Sequence, residues 1–264
     1  MEDPILCENH LYNIDRASKR VRIWTYDLDS AAKSHFYISK NETLNFGTSI
    51  ALLPQSELFC YGNHEPISGI SCIIDLKSWK IKKTLPSWTP CYFAGSIYYK
   101  NSIYMFGGYN GVSLLCLASK FDINENKWFQ ITPLPMASSL CACTVFKNSI
   151  IICGYEHSKV YKYDVQIESY SELPVIDLRQ NFQKILFEIN SRIYILIKNG
   201  KILESEVDNE YAWSIVGNSQ FVYYNNCFWV NHKGSIYISL HYYREMHCYK
   251  FCLKKKILEN LSSS

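Results

Sequence analysis

The chain repeats one pattern of short apolar runs and polar turns at a spacing of about 45 residues, which constrains its fold more than any other feature. Stacked supersecondary units produce such a period, because each unit can bury its apolar faces only against its neighbours. The clearest copy lies between residues 98 and 135. Its markers are the polar turn Lys100-Asn101, the pair Gly107-Gly108, the pair Phe121-Asp122, Trp128 and the pair Leu134-Pro135.

Four further copies keep some of these markers. One precedes the clearest copy and three follow it, and the last two are the most divergent. The corresponding residues are Gly62 and Trp79 in the first, Cys153-Gly154 and Tyr170 in the third, Asn190 and Trp213 in the fourth, and Lys233-Gly234 and Ile257 in the fifth.

Each copy is predicted to contain four β-strands, a to d. The apolar runs are short, rich in β-branched and aromatic residues, and bounded by turn residues, and none keeps a helical spacing. The composition agrees, with 48% hydrophobic residues, 15% aromatic residues and 21 tyrosines. In the clearest copy we expect strand a at 96–99, b at 103–106, c at Phe121-Asp122 and d at Trp128. A large aromatic residue at a repeated position predicts core packing, so Trp128 should be buried.

These markers resemble the kelch motif, over roughly residues 44–258. The resemblance implies an all-β fold, a kelch-type β-propeller with four-stranded blades. Residues 1–43 contain candidates for strands b, c and d but none for strand a. We therefore expect six four-stranded blades, of which the first is incomplete. Residues 1–264 should form one domain, with blades at approximately 1–43, 44–88, 89–135, 136–178, 179–217 and 218–258.

Charge and cysteine content indicate a cytoplasmic protein that binds neither nucleic acid nor membrane. The formal net charge is +3, from 27 basic and 24 acidic residues, so a concentrated basic face is not expected. The sequence has no transmembrane run and no signal peptide. The eleven cysteines are odd in number and lack a C-x-x-C motif, so neither a metal site nor a cofactor is predicted. The basic run 254–256 is interpreted as protection of an exposed strand edge rather than as a contact surface.

Function is expected at one end of the propeller. Strands of a blade alternate in direction, so the b–c and d–a connections emerge together, opposite the a–b and c–d turns. Loops on a rigid framework commonly carry recognition, and the resemblance implies an interaction module that binds a protein or peptide in a recognition or cytoskeletal role. We expect a monomeric domain. The candidate contact residues are His64, Tyr109, Asn110, His157, Arg179, Tyr243 and Arg244.

The alternative function is an enzyme with a site at the central axis, because some propellers are oxidases or hydrolases. Such a site needs convergent titratable or metal-binding groups. The seven histidines are scattered without paired ligand spacing, and no nucleophile motif is present. We therefore predict a binding protein without catalytic residues.

Overall fold

The computed structural model describes most of the chain as β-sheet. The described residues form 23 β-strands and no helix. Within this part of the chain, accordingly, nothing could cross a bilayer as an apolar helix. The described residues are 10–17, 20–37, 49–64, 67–174, 178, 183–206, 212–218, 227–242 and 245–261.

The strands form six antiparallel sheets, each built from consecutive strands. The first sheet has three strands: β1 (His10–Ala17), β2 (Arg20–Asp27) and β3 (Lys33–Tyr37). Blade 1 contains β4 (Ser49–Leu53), β5 (Glu57–His64), β6 (Ile67–Asp75) and β7 (Lys80–Leu85). Blade 2 contains β8 (Gly95–Tyr99), β9 (Ser102–Phe106), β10 (Ala118–Asp122) and β11 (Lys127–Gln130).

The other three blades follow in chain order. Blade 3 contains β12 (Ala142–Phe146), β13 (Ser149–Cys153), β14 (Val160–Asp164) and β15 (Ser169–Leu173). Blade 4 contains β16 (Lys184–Ile189), β17 (Arg192–Ile197), β18 (Lys201–Glu206) and β19 (Ala212–Asn218). Blade 5 contains β20 (Cys227–His232), β21 (Ser235–Tyr242), β22 (Glu245–Cys252) and β23 (Ile257–Asn260).

The expected four strands per repeat are present, but the predicted count of six four-stranded blades is wrong: the described residues form five. Strand a of each blade contacts strand a of the next, from β4 through β8, β12 and β16 to β20. The three-stranded sheet lies beside blade 5, where β1 contacts β20 and β21. Its strands correspond to b, c and d, and residues 1–9, which precede β1, lie outside the described residues.

The apolar core is divided among the interfaces between neighbouring sheets. Strand β9 shows how one strand serves two interfaces, because all five of its residues are buried and successive side chains point to opposite faces. Ile103 and Met105 pack towards blade 1, whereas Tyr104 and Phe106 pack towards blade 3. Tyr26 packs with residues of blade 1 and with Cys248 of blade 5, so the three-stranded sheet contributes to the core between them.

The markers of the repeat have distinct structural roles. Lys100 and Asn101 both have positive φ, 46° and 58°, as a two-residue hairpin turn requires. Asp122, at the end of strand c, accepts a hydrogen bond from the backbone N–H of Asn124 at 2.9 Å. This Asx turn shapes the c–d connection. The same bond, from the residue two positions on, is made by Asp27, Asp75 and Asp164.

Trp128 is buried as predicted, at 4% exposure. Its ring lies between blades 1 and 2, where it contacts Phe59, Tyr61 and Phe121 and stacks on Trp88 at 5.9 Å between ring centroids. Its indole N–H donates to the carbonyl of Pro86 at 2.9 Å. The repeated aromatic position is therefore a core position that also anchors the chain entering blade 2.

Candidate functional site

The b–c and d–a connections of blades 1 to 3 meet at one end of the sheets. Every strand pair within a blade is antiparallel, which places these connections opposite the a–b and c–d turns. Backbone hydrogen bonds join the two kinds of connection: Gly108 N–H donates to the Ser138 carbonyl at 2.7 Å, and Leu134 N–H donates to the Cys116 carbonyl at 3.0 Å. The predicted grouping of loops is thus present in this part of the molecule.

The b–c connections differ greatly in length. Blades 1, 4 and 5 join strands b and c through only residues 65–66, 198–200 and 243–244. Blade 2 uses residues 107–117 and blade 3 uses 154–159. His64, expected in a loop, is the last residue of β5, because the β5–β6 hairpin continues past the bulge next to Gly62. Loops large enough to form a surface are therefore concentrated in blades 2 and 3 among the b–c connections.

The blade 2 loop has an internal hydrogen-bond framework. Asn110 uses its side-chain oxygen to accept from the backbone N–H groups of Val112 and Ser113, at 3.0 and 2.8 Å. Gly107 N–H donates to the Leu117 carbonyl at 2.6 Å and closes the base of the loop. The turn holds Val112 at 88% exposure. Asn110 thus shapes the loop, and the side chain that the loop presents to solvent is that of Val112.

Tyr109 connects the blade 2 loop to the preceding d–a connection. It exchanges two backbone hydrogen bonds with Tyr92, at 2.8 and 3.0 Å, and the two rings meet edge to face at 5.4 Å. Its hydroxyl donates to the carbonyl of Gly111 at 3.1 Å. The half-buried ring of Tyr109 therefore forms part of a fixed aromatic surface together with Tyr92 and Phe93.

Three consecutive connecting segments compose this surface: residues 86–94, 107–117 and 131–141. None of them contains Asp, Glu, Lys, Arg or His. We call these three segments the uncharged loop surface. The candidate contact residues predicted from the sequence include only Tyr109 and Asn110 of these segments, although the absence of charge is visible in the sequence itself. Val112 and Met136, at 88% and 39% exposure, are its most exposed large apolar side chains.

The blade 3 loop, by contrast, is built on charged groups that are satisfied internally. Glu156 accepts hydrogen bonds from the Ser138 hydroxyl at 2.7 Å and from the backbone N–H of Ser139 at 2.8 Å. The Ser139 hydroxyl donates to the other carboxylate oxygen of Glu156. The carboxylate thereby joins the blade 3 loop to the d–a connection before blade 3.

Lys184, the first residue of β16, holds the same loop from the side of blade 4. Its ammonium is buried and donates to the carbonyls of Gly154, Tyr155 and His157, at 2.6, 3.3 and 3.2 Å. Burial lowers the pKa of Lys184. The pKa of His157 is also lowered, first by burial and then by the charge of Lys184. His157 is only 4% exposed, so this candidate residue supports the loop from within.

The cluster around Ser138, Glu156 and His157 contains residue types found in hydrolases, but its geometry differs from that of a nucleophilic site. The Ser138 hydroxyl donates to Glu156, while Nδ1 of His157 accepts from the backbone N–H of Lys159 at 3.3 Å. Ser138 is completely buried. In the described ranges no group of three or more His, Cys, Asp or Glu side chains could hold a metal ion.

A second buried charge lies between blades 4 and 5, towards the end with the a–b and c–d turns. Glu204 accepts from Tyr194, Arg192 and Lys256 at 2.6, 2.8 and 3.1 Å. Burial would raise the pKa of Glu204, but these three hydrogen bonds outweigh it and lower the pKa. The interpretation of residues 254–256 as a solvated edge is therefore wrong for Lys256, which pairs with a buried carboxylate across the interface; Lys254 and Lys255 are exposed.

The candidate contact residues are only partly described. Tyr109 and Asn110 lie at the loop end, and His157 lies there but is buried. His64 ends β5, and its side chain is outside the description. The other three candidates lie outside the described residues altogether: Arg179, Tyr243 and Arg244. A role in partner binding stays a prediction for all seven.

The sequential four-stranded antiparallel sheets, joined through their first strands, define the chain as a β-propeller. Comparison with protein families finds the kelch motif at residues 90–135, which cover blade 2 and parts of the connections before and after it. No curated protein matches the chain. The motif and the arrangement of the blades together support a kelch-repeat β-propeller. This fold commonly mediates protein–protein interaction and is typically not enzymatic.

Proposed function

We propose that this protein is an interaction module that binds a protein or peptide partner at the loop end of blades 1 to 3. The observation that carries the proposal is the joining of the 86–94, 107–117 and 131–141 segments by backbone hydrogen bonds into one surface. A surface that is already ordered loses little conformational entropy when a partner binds. Exposed apolar side chains on such a surface are typical of interaction sites.

The residues of this end have different roles in the proposal. Tyr109 contributes contact area, because tyrosine combines a large ring with few rotatable bonds. Asn110 shapes the turn, and His157 and Lys184 support the neighbouring loop. The positions of Arg179, Tyr243 and Arg244 in d–a and b–c connections make them candidates to extend the contact to the other blades.

We further propose a recognition or cytoskeletal role in the cytoplasm, as a monomeric domain. Seven cysteines of the described residues are free thiols, a state that suits a reducing compartment: Cys60, Cys91, Cys116, Cys141, Cys143, Cys153 and Cys252. Labelling of the denatured, unreduced protein should find all thiols free. Several stable disulfides would contradict the cytoplasmic assignment.

The test of the interaction proposal is affinity capture from the native lysate, identification by mass spectrometry, and affinity measurement with the recombinant partner. Tyr109→Ala should weaken binding by about 1–3 kcal/mol, the usual effect of truncating an interface aromatic residue. Thermal melting of each variant separates lost contact from lost folding.

The control variants Lys100→Ala and Lys147→Ala change the a–b turns at the opposite end and should leave affinity unchanged. A partner that responds to the lysine changes and tolerates Tyr109→Ala would place the site at the other end.

A further inference from the structure

The uncharged loop surface is unusual in a chain in which 19% of residues are charged. Its three segments comprise 31 residues, and all of them lack an ionisable carboxylate, ammonium, guanidinium or imidazole group. Connecting segments normally carry charge because they face water. Depletion of charged residues is instead the compositional signature of the centre of a protein interface.

The apolar groups of this surface are held in fixed positions. Val112 lies on the turn that Asn110 closes, and the Met136 segment is bonded to the blade 2 loop through Leu134 and Cys116. Trp88, Phe93 and Leu114 are half-buried beside them in the three segments. The exposed side chains therefore do not belong to loose loops that could fold back and cover them.

Exposure alone does not distinguish a site, as Ile167 shows at the opposite end. Ile167 is 72% exposed in the β14–β15 turn and, like Val112, donates its backbone N–H to an Asx side chain, here Asp164 at 3.3 Å. Its turn, however, contains Asp164 and Glu168. A charged turn remains hydrated around a single apolar side chain, whereas the 107–117 segment that carries Val112 contains no charged residue.

We propose that the partner's contact segment is itself apolar and uncharged, and that Val112 and Met136 are the central contacts. The inference rests on the proposed function, since it assigns the chemistry of the partner at the same end of the propeller. A charged partner segment would lose hydration against Val112 and Met136, whose own segments supply no countercharge, and this loss is unfavourable. An apolar segment loses only unfavourable hydration there. The occupant is a segment of another protein, and its binding depends little on ionic strength.

The experiment selects a phage-displayed library of random peptides on the immobilised full chain and measures the enriched peptides in solution. We expect enriched sequences dominated by apolar residues without net charge. Their affinity should fall about tenfold or more with Val112→Asp and with Met136→Asp, because each change places a charge in the contact. Ile167→Asp is the matched control, as it introduces the same charge at an exposed aliphatic residue on the opposite end. Affinity should stay within about twofold between low and high salt, since no ion pair is formed.

Other outcomes separate this inference from the function on which it rests. Charged peptides whose binding is salt-dependent and unaffected by Val112→Asp would overturn the partner chemistry and leave an interaction module. Absence of any enrichment over uncoated support would contradict both. Concentration-dependent dimerisation in sedimentation that Val112→Asp abolishes would identify a second copy as the occupant and overturn the assignment to another protein. Circular dichroism of each variant establishes that it is folded.

Discussion

Blade 2 and blade 4 contact their neighbours through different chemistry. In blade 2 the pair Gly107-Gly108 lets the carbonyl of Ser138 approach the backbone, and a Cβ at Gly107 would lie 2.2 Å from that oxygen. In blade 4 the residues at the position of the Gly pair are Lys198-Asn199. The contact with blade 3 is made by the buried ammonium of Lys184, which donates hydrogen bonds to three carbonyls of the blade 3 loop. The first solution depends on a missing side chain and the second on a charge.

The difference teaches why one blade carries the recognisable motif. A close backbone approach tolerates only glycine, so glycine occurs at the same position in every blade that uses such an approach. A buried charge can come from any position whose side chain reaches the carbonyls, so it produces no repeated residue in the sequence. Blade 4 keeps its fold through side-chain hydrogen bonds that a motif does not record. Four changes would sharpen or break this contrast.

The largest effect is expected from the core tryptophans. Trp128→Ala should destabilise the protein by about 3–5 kcal/mol, the usual cost of truncating a large buried aromatic. Trp213→Ala, in the equivalent position of blade 4, should cost about 1 kcal/mol less, because the indole N–H of Trp213 has no acceptor among the described residues. Denaturant unfolding of both variants measures the difference. If Trp128→Ala lowers the free energy of unfolding by less than Trp213→Ala does, Trp128 is not the stronger anchor.

Gly107→Ala tests the close approach itself. Gly107 has φ of +70° and faces the Ser138 oxygen, whereas Gly234 has φ of +72° and no atom within 4 Å of the position of a Cβ. Both alanine variants incur the left-handed backbone strain of about 1–2 kcal/mol, but only Gly107→Ala also creates a clash, for a total of about 3 kcal/mol. Equal losses in the two variants would mean that the backbone conformation, rather than the close approach of the Ser138 oxygen, requires glycine at position 107.

The strand pattern and the role of Trp128 could be read from the sequence because both repeat. Short β-branched or aromatic runs and turns that begin with Asp recur from blade to blade, and each is a local signal. Lys184 and Glu204 could not be recognised, since a single Lys or Glu at a strand position is normally exposed and its partners come from distant segments. His157 was taken for a surface residue for the same reason. The loop end was predictable from topology, whereas the unequal lengths of its loops were not.

Lys184→Met tests the charge-based solution of blade 4. The variant keeps an unbranched side chain, one atom shorter, but removes the donor to three carbonyls. We expect a loss of about 2 kcal/mol, because hydrogen bonds from a charged group contribute roughly 1.5–3 kcal/mol and the desolvation of the ammonium partly offsets them. Lys254→Met, at an exposed position in the β22–β23 turn, is the control and should change stability little. Stabilisation by Lys184→Met would show that the buried charge is retained for a reason other than folding.

The smallest effect is a dependence of stability on pH that arises at the junction of blades 3 and 4. The pKa of His157 is lowered from its ordinary value of 6.5, first by burial and then by Lys184, against the opposing effect of Glu156. A lowered pKa means that the unfolded chain binds the proton more readily, so stability is full above about 6.5 and is lost as pH falls towards the lowered value. Unfolding measured between neutral and mildly acidic pH should show this loss, and His157→Gln should reduce it.

Gly107→Ala leaves His157 in place and should keep the full dependence of stability on pH. If His157→Gln has the same slope as the wild type, His157 is not the residue through which acid acts on this junction. The contrast between a glycine-dependent and a charge-dependent contact would then rest on Lys184 alone.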